Sequence, residues 1–227
     1  MIRWDEPGYV VAFTTRVGGV SEAPYDSLNL SVGTGDDTVR VEENRRIACE
    51  SLGLPYDRLT FNRQIHSPTV HRAEAGRRGT PGDGLWTDER QLPVLAFSAD
   101  CLPIAVATTG TVRRLAVLHA GWRGLAEGVV AAGVAALGDE PKAAFIGPAI
   151  GPCCYEVGAE VASLFDDDLT TDGRLDLWTA AERALREAGV DRVERSDVCT
   201  RDNPDLYFSH RRDGLARGVQ GVIGAVA

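Results

Sequence analysis

Three short apolar segments in the middle of the chain constrain its fold most. They are rich in Val, Ile and Leu and follow one another closely: Leu92–Phe97, Leu102–Thr108 and Val112–His119. Residues of these types favour buried β-strands, and segments this short are typical of strands rather than of helices. A fourth segment of the same kind, Ala143–Ile146, follows later. The sequence therefore predicts a core of β-strands.

Helical patterns lie on both sides of this block. The first begins at a cap, Asp36 or Asp37, and runs to Leu52. Three more predicted helices are Trp122–Leu137, Val157–Phe165 and Leu177–Ala188, and a last predicted strand is Leu206–His210. Strands in one block with helices before and after indicate an α+β fold rather than regular βαβ winding. We expect one domain over residues 1–227, a length that can bury a full core.

Charge and composition exclude several classes of partner. The formal net charge of −9 argues against a broad basic surface, so nucleic acid is not an expected partner. The longest apolar run, Val129–Leu137, is about half of the roughly 20 residues that a membrane span needs. The first residues are acidic where a signal peptide is basic, and the five cysteines are odd in number. We therefore expect a cytoplasmic protein with reduced thiols and no membrane partner.

Two of the four histidines and one cysteine occupy positions that a core strand does not require. We place His66, Cys101 and His119 at the ends of predicted strands, beside polar residues or glycine turns. Imidazole and thiolate are ligands that Zn²⁺ accepts, and three protein ligands with one open position are typical of catalytic zinc. The spacing alone is weak evidence, because ligands this far apart meet only in a fold. The alternative is that these residues are satisfied polar groups and an ordinary buried thiol.

Two further motifs carry groups that could be functional. The adjacent Cys153 and Cys154 lie between a Gly-Pro pair and Tyr155, and we interpret them as part of a structural turn into a helix. The adjacent Arg211 and Arg212 precede an Asp-Gly turn. Neighbouring arginines usually form a solvated surface, but here they could bind phosphate or carboxylate.

Six motifs in order resemble the YfiH-like laccase-domain family, from about residue 10 to the C-terminus. They are Thr14-Thr-Arg-Val-Gly-Gly-Val-Ser21, Gln64-Ile-His-Ser67, Ser98-Ala-Asp-Cys101, His119-Ala-Gly-Trp-Arg-Gly124, Gly147-Pro-Ala-Ile-Gly-Pro-Cys-Cys-Tyr155 and Ser209-His-Arg-Arg-Asp-Gly214. The resemblance implies a layered sandwich of mixed β-sheets flanked by helices, with Zn²⁺ on His66, Cys101 and His119. It also implies phosphorolysis of adenosine, inosine and methylthioadenosine and hydrolytic deamination of adenosine, so purine nucleosides and phosphate are the expected partners. His210 and the Leu215-Ala-Arg217 segment depart from the family pattern, which leaves the substrate contacts of this loop open.

The two implied reactions need different groups. Zinc lowers the pKa of a bound water to roughly 7, which suits attack on C6 of a purine, and Asp100 is our candidate to transfer the proton. Its alternative role is to orient a ligand. For phosphorolysis we place phosphate on Arg16, Arg211 and Arg212, with Arg123 in reserve, and Gln64 on the base or the ribose.

Other functions remain open at this point. Four histidines and a single methionine, Met1, are too few for a multicopper oxidase, although copper at the zinc site could give a polyphenol oxidoreductase activity. The protein could instead be a cysteine- or zinc-dependent hydrolase or amidase acting on a cell-wall precursor, and in the cysteine-dependent case Cys101 acts as a thiolate nucleophile with His119 as its base. A non-catalytic nucleotide-binding module is a third hypothesis. The chain could be a monomer or a homodimer.

Overall fold

The computed structural model describes all 227 residues, which form fourteen strands and six α-helices. The strands are β1 (Ile2–Trp4), β2 (Tyr9–Phe13), β3 (Thr60–Arg63), β4 (Val70–Arg72), β5 (Arg78–Pro81), β6 (Gly84–Thr87), β7 (Val94–Ser98), β8 (Leu102–Thr108), β9 (Leu115–Ala120), β10 (Lys142–Ile146), β11 (Thr170–Thr171), β12 (Arg174–Leu175), β13 (Arg192–Arg195) and β14 (Gln220–Val226). The helices are α1 (Thr38–Glu50), α2 (Trp122–Ala126), α3 (Val129–Ala136), α4 (Ala159–Ala162), α5 (Leu177–Glu187) and α6 (His210–Asp213).

Two mixed six-stranded sheets dominate the fold. The first has the order β1-β2-β14-β7-β3-β5 and the second β13-β10-β8-β9-β6-β4, while β11 and β12 form a small separate hairpin. Both sheets combine antiparallel pairs with parallel ones, for example β8 with β9 antiparallel and β3 with β7 parallel. The predicted α+β fold, a layered sandwich of mixed β-sheets flanked by helices, is confirmed.

Alternation along the strands divides the core into layers. In β8, Ala105 and Ala107 face the first sheet, whereas Ile104 and Val106 face the helices α3 and α5. Neighbouring residues of a strand point to opposite faces, so a strand buried on both sides is apolar at every position. A third cluster fills the space between the first sheet and α1. The order of layers is therefore helix, sheet, sheet, helices, which explains why the central segments are almost uninterrupted apolar runs.

The strand predictions for the middle of the chain are close to the structure, but two helix predictions are wrong. Trp122–Leu137 is not one helix: α2 and α3 are separated at Gly128, whose φ of 92° lies in the left-handed region that an α-helix cannot contain. Val157–Phe165 forms only the single turn α4. Asp37 caps α1 as expected, accepting hydrogen bonds from the amides of Val39 and Arg40.

The prediction for the C-terminal region is also wrong. Leu206–His210 is not a strand, because Ser209 caps α6: its hydroxyl oxygen accepts a hydrogen bond from the amide of Arg212. The last strand is instead β14, which pairs with both β2 and β7 in the first sheet. Its residues are all buried.

No helix combines the length and apolar content that crossing a bilayer requires; the longest, α1, has 13 residues.

Candidate metal centre and adjoining cavity

Three connections bring His66, Cys101 and His119 together. Cys101 lies in the turn between β7 and β8, and His119 is the last residue but one of β9. His66 does not end a strand as predicted, because β3 stops at Arg63 and the histidine lies in the following loop. The ligand atoms of the three residues all lie within 4.8 Å of one another. The sequence-predicted ligands therefore form one cluster.

Asp83 holds this cluster in place through hydrogen bonds. Its buried carboxylate accepts hydrogen bonds from the amides of Ile65, His66 and Ser67, at 3.1, 3.0 and 2.7 Å, and from the hydroxyl of Ser67. It also accepts from Nδ1 of His119 at 2.9 Å. Since a carboxylate only accepts, Nδ1 carries a hydrogen, which leaves Nε2 as the nitrogen of His119 that can bind a metal ion once it is deprotonated.

The sequence reasoning missed Asp83. The only available signal was a short turn motif, Gly82-Asp-Gly84. Its partners are mostly backbone amides, which a sequence does not identify.

One residue of the cluster and one residue next to it have positive φ although neither is a glycine. His66 has φ 59° and Asp100, directly before Cys101, has φ 88°. Such conformations cost about 1–3 kcal/mol each and persist where the surroundings fix them. For His66 the fixing group is Asp83. For Asp100 the fixing groups belong to the C-terminal region, which binds the carboxylate of Asp100.

Both carboxylate oxygens of Asp100 accept hydrogen bonds from the C-terminal region. Oδ1 accepts from the hydroxyl of Thr200 at 2.6 Å, and Oδ2 accepts from the hydroxyl of Ser209 at 3.1 Å and the amide of Arg211 at 2.6 Å. These contacts favour the orienting role for Asp100 over proton transfer, because each oxygen already has a partner.

The three ligand residues polarise one another. Burial raises the pKa of the Cys101 thiol, but the neighbouring His119 and His66 outweigh burial and hold it below its usual value. Burial lowers the pKa of His119, whereas the Cys101 thiolate and Asp83 raise it above its usual value. Without a metal the cluster therefore favours a thiolate beside an imidazolium, and a metal ion would take the place of the proton between them.

Gly121 leaves room for a ligand at this point. A Cβ atom built on it would lie 2.9 Å from Sγ of Cys101 and 3.1 Å from Cδ2 of His66. Its φ of −76° is accessible to every residue type, so the backbone conformation does not require glycine here. Glycine is needed because a side chain would fill the space in front of the ligands. The donor set and the open space both fit a metal ion.

The cluster lies in the wall of a cavity of about 830 Å³, within the usual size of small-molecule sites. Phe61, Phe97 and Val219 contribute apolar surface, and Gln64 lines the cavity as well. Both ends of the Gln64 amide are bound to the backbone of Phe97, which fixes the side chain against the neighbouring strand.

The structure does not bring the predicted phosphate-binding arginines into this cavity. Arg16 donates to the carbonyls of Asp26 and Pro204, and Arg212 donates to those of Thr200, Arg201 and Tyr207. These two guanidinium groups hold the backbone in place. The reserve candidate Arg123 stacks on its neighbour Trp122.

Arg211 also points elsewhere. Its guanidinium donates to the carbonyl of Glu156 at 2.7 Å and lies 5.2 Å from the ring centroid of Tyr155. None of the three predicted arginines lines the cavity.

Three other arginines line the cavity: Arg45, Arg63 and Arg217. Arg45 donates to the carbonyl of Leu30 and pairs with Glu42, so it is committed to the fold. Arg217 is different, because its buried Nε has no hydrogen-bond partner. Burial lowers the pKa of Arg217, while Asp100 and Cys101 act in the opposite direction.

The comparisons with known proteins agree with these features. Residues 10–226 match the family model described as multi-copper polyphenol oxidoreductase laccase. The chain is 33% identical to a purine nucleoside phosphorylase of Haemophilus influenzae over 97% of this chain and 96% of that protein. It is 34% identical to the purine nucleoside phosphorylase YfiH of Escherichia coli, over 93% and 92%. The crystal structure of YlmD from Geobacillus stearothermophilus superposes with a TM-score of 0.89 at 33% identity, covering 97% of this chain and 92% of that one. The chain therefore belongs to the YfiH-like laccase-domain family.

Proposed function

We propose that the protein is a zinc-dependent purine nucleoside enzyme that phosphorolyses adenosine, inosine and methylthioadenosine and deaminates adenosine. The observation that carries this proposal is the cluster of His66, Cys101 and His119 in the wall of a cavity large enough for a nucleoside. Two relatives named purine nucleoside phosphorylase, aligned over nearly their whole length, support the same substrate class.

Zinc fits the ligand set of the cluster. Two imidazoles and one thiolate match the borderline softness of Zn²⁺, and three protein ligands leave a position for water or substrate. When bound, zinc supplies Lewis acidity and lowers the pKa of water towards neutrality. His66, Cys101 and His119 would hold the ion, and Asp83 fixes the ring of His119 with Nε2 free to bind. A laccase-type copper cluster needs more histidines than the two that meet here, although one copper could compete for the same site.

The rest of the cavity suits the nucleoside and phosphate. Phe61 and Phe97 form an apolar wall against which a purine can pack. Arg217, with its unpaired Nε, is our candidate for the phosphate that attacks C1′ of the ribose, and the exposed Arg63 is the second cation. In that reaction the C1′–O bond to phosphate forms while the C1′–N bond to the base breaks. In deamination water adds at C6 and ammonia leaves.

The test combines metal analysis with turnover. Wild type, Cys101→Ala and the control Cys49→Ala are purified without chelator, and zinc and copper are counted by plasma mass spectrometry. Adenosine is then followed to adenine with phosphate and to inosine without it. We expect Cys101→Ala to carry about one zinc fewer per chain than wild type and to lose both reactions, and Cys49→Ala to keep both. A metal-free wild type that still turns over adenosine would contradict the proposal.

One set of side-chain contacts supports a second candidate function, a cysteine hydrolase or amidase. Cys101, His119 and Asp83 form a chain of thiol, imidazole and carboxylate in the order used by cysteine hydrolases. If the protein is such a hydrolase or amidase, stripping the metal leaves activity intact, while a thiol-alkylating reagent abolishes it. A zinc enzyme loses activity on stripping and regains it when zinc is added back.

A further inference from the structure

We propose that Cys153, Cys154, Cys199 and Asp202 form a second metal site that takes a borderline-soft divalent cation, with Zn²⁺ as the best match. The three sulfur atoms and a carboxylate oxygen all lie within 4.8 Å of one another. None of these residues belongs to the cluster of His66, Cys101 and His119, so the inference does not depend on the proposed enzyme activity.

Backbone pairing brings the two halves of this second cluster together. Cys153 and Cys154 lie in a turn after β10, where the amide of Cys154 donates to the carbonyl of Gly151 at 2.9 Å. Cys199 lies far along the chain, in an isolated parallel bridge with Ala149. The interpretation of Cys153 and Cys154 as a structural turn is therefore incomplete, because the turn also presents two thiols to a third. No sequence motif indicated that Cys199 would join them.

The polar contacts within the cluster are those that a cation would replace. Sγ of Cys154 donates to Oδ1 of Asp202 at 3.1 Å, and Sγ of Cys153 donates to Oδ2 at 3.2 Å. Two thiol hydrogens thus lie between sulfur and carboxylate. With zinc–sulfur bonds of about 2.3 Å, tetrahedral ligand atoms are about 3.8 Å apart, which small side-chain movements reach from the present spacing.

Charge and hydrogen bonding favour a cation here. Several thiolates beside a carboxylate need a compensating positive charge, which a metal ion supplies as the protons leave. Cys199 accepts a hydrogen bond from the amide of Gly151 at 3.3 Å, a contact that orients its sulfur.

The site has a structural consequence for the active centre. Thr200 follows Cys199 directly and donates to Asp100, the residue before Cys101. A metal ion on the second cluster would fix the loop that carries Thr200. The second site can therefore stabilise the loop that holds the first cluster in place, without itself contacting a substrate.

The experiment counts metal in variants that separate the two clusters. Wild type, Cys101→Ala, Cys153→Ser and Cys49→Ala are purified with reductant and without chelator, equilibrated with Zn²⁺, freed of excess and analysed. Cys153 is exposed, so its replacement by serine leaves the core intact, and Cys49 is a buried thiol of α1 that belongs to neither cluster. We expect Cys101→Ala to retain about one zinc per chain and Cys153→Ser to hold about one fewer than wild type.

A cobalt spectrum gives an independent readout. In the Cys101→Ala background, all cobalt–thiolate charge-transfer absorption must come from the second cluster. We expect this absorption to appear on addition of Co²⁺ and to be lost when Cys153→Ser removes one of the three thiolates, as the zinc count predicts. A Cys101→Ala protein that holds no zinc and gives no cobalt–thiolate absorption would overturn the proposal. So would an intact mass, after alkylation, showing two of the three thiols joined in a disulfide in the reduced preparation.

Discussion

Replacing Asp83 with asparagine tests how the candidate metal centre is held. The side chain keeps its shape, but it loses its charge and one oxygen becomes an NH₂ group that cannot accept. If that group faces His119 and the amide of His66, both donors lose their acceptor. An unsatisfied buried donor costs about 1–3 kcal/mol, so the free energy of unfolding of the metal-free protein should fall by about 2–6 kcal/mol.

The same change should weaken metal binding. Removing the carboxylate that orients a ligating histidine typically costs about 10- to 100-fold in metal affinity. We expect the zinc dissociation constant to rise by this factor, measured in competition with a chromophoric chelator. Urea unfolding gives the stability. Ser67→Ala is the matched control, because it removes one hydroxyl donor to Asp83 and leaves the contact with His119 in place. An Asp83→Asn protein that binds zinc as tightly as wild type would refute this account of the site.

Three further predictions concern space, charge and pH. Gly121→Ala should weaken zinc binding at least about tenfold in the same competition assay, because its Cβ would lie 2.9 Å from Sγ of Cys101. An unchanged zinc affinity would contradict the proposed space for the metal. Arg217→Gln should raise the KM for phosphate in phosphorolysis about tenfold or more while leaving adenosine deamination within about twofold; Arg16→Gln, which removes a cation outside the cavity, should leave that KM unchanged. Glu42→Gln should lower stability at pH 7 by about 1 kcal/mol, because Tyr56 and two arginines outweigh burial and hold the pKa of Glu42 below its usual value. This contribution is present above the unfolded pKa of about 4.3 and is lost as the pH falls through the pKa of Glu42 in the folded protein. Urea unfolding should therefore show a smaller stability difference between wild type and Glu42→Gln at pH 3 than at pH 7. An equal difference at the two pH values would contradict the assignment.

The strands and the candidate metal ligands could be predicted from the sequence for different reasons. The central strands are buried on both faces, so their composition alone marks them, as in Leu102–Thr108. The three ligands were recognised through motifs that the chain shares with a family. Their supporting residue Asp83 was not found, because it acts on backbone amides that every residue possesses.

Arginines show the limit of the argument from residue type. A sequence gives the charge of a guanidinium but not its direction, and Arg16 and Arg212 turn out to bind carbonyls of the protein itself. Arg217, set aside as a departure from the family pattern, lines the cavity instead. The helix break at Gly128 was hidden for a similar reason, since glycine within an apolar helical pattern can either continue a helix or end it.

The two aspartates that hold His66 and Cys101 in place have a consequence for metal exchange. Asp83 and Asp100 fix the loops through bonds to the protein alone, so the ligand geometry is set during folding and does not wait for the ion. Proteins whose metal organises the chain unfold when it is removed. Here the centre should remain assembled beneath its cavity without an ion, so we expect that a metal can be removed and reloaded while the chain stays folded.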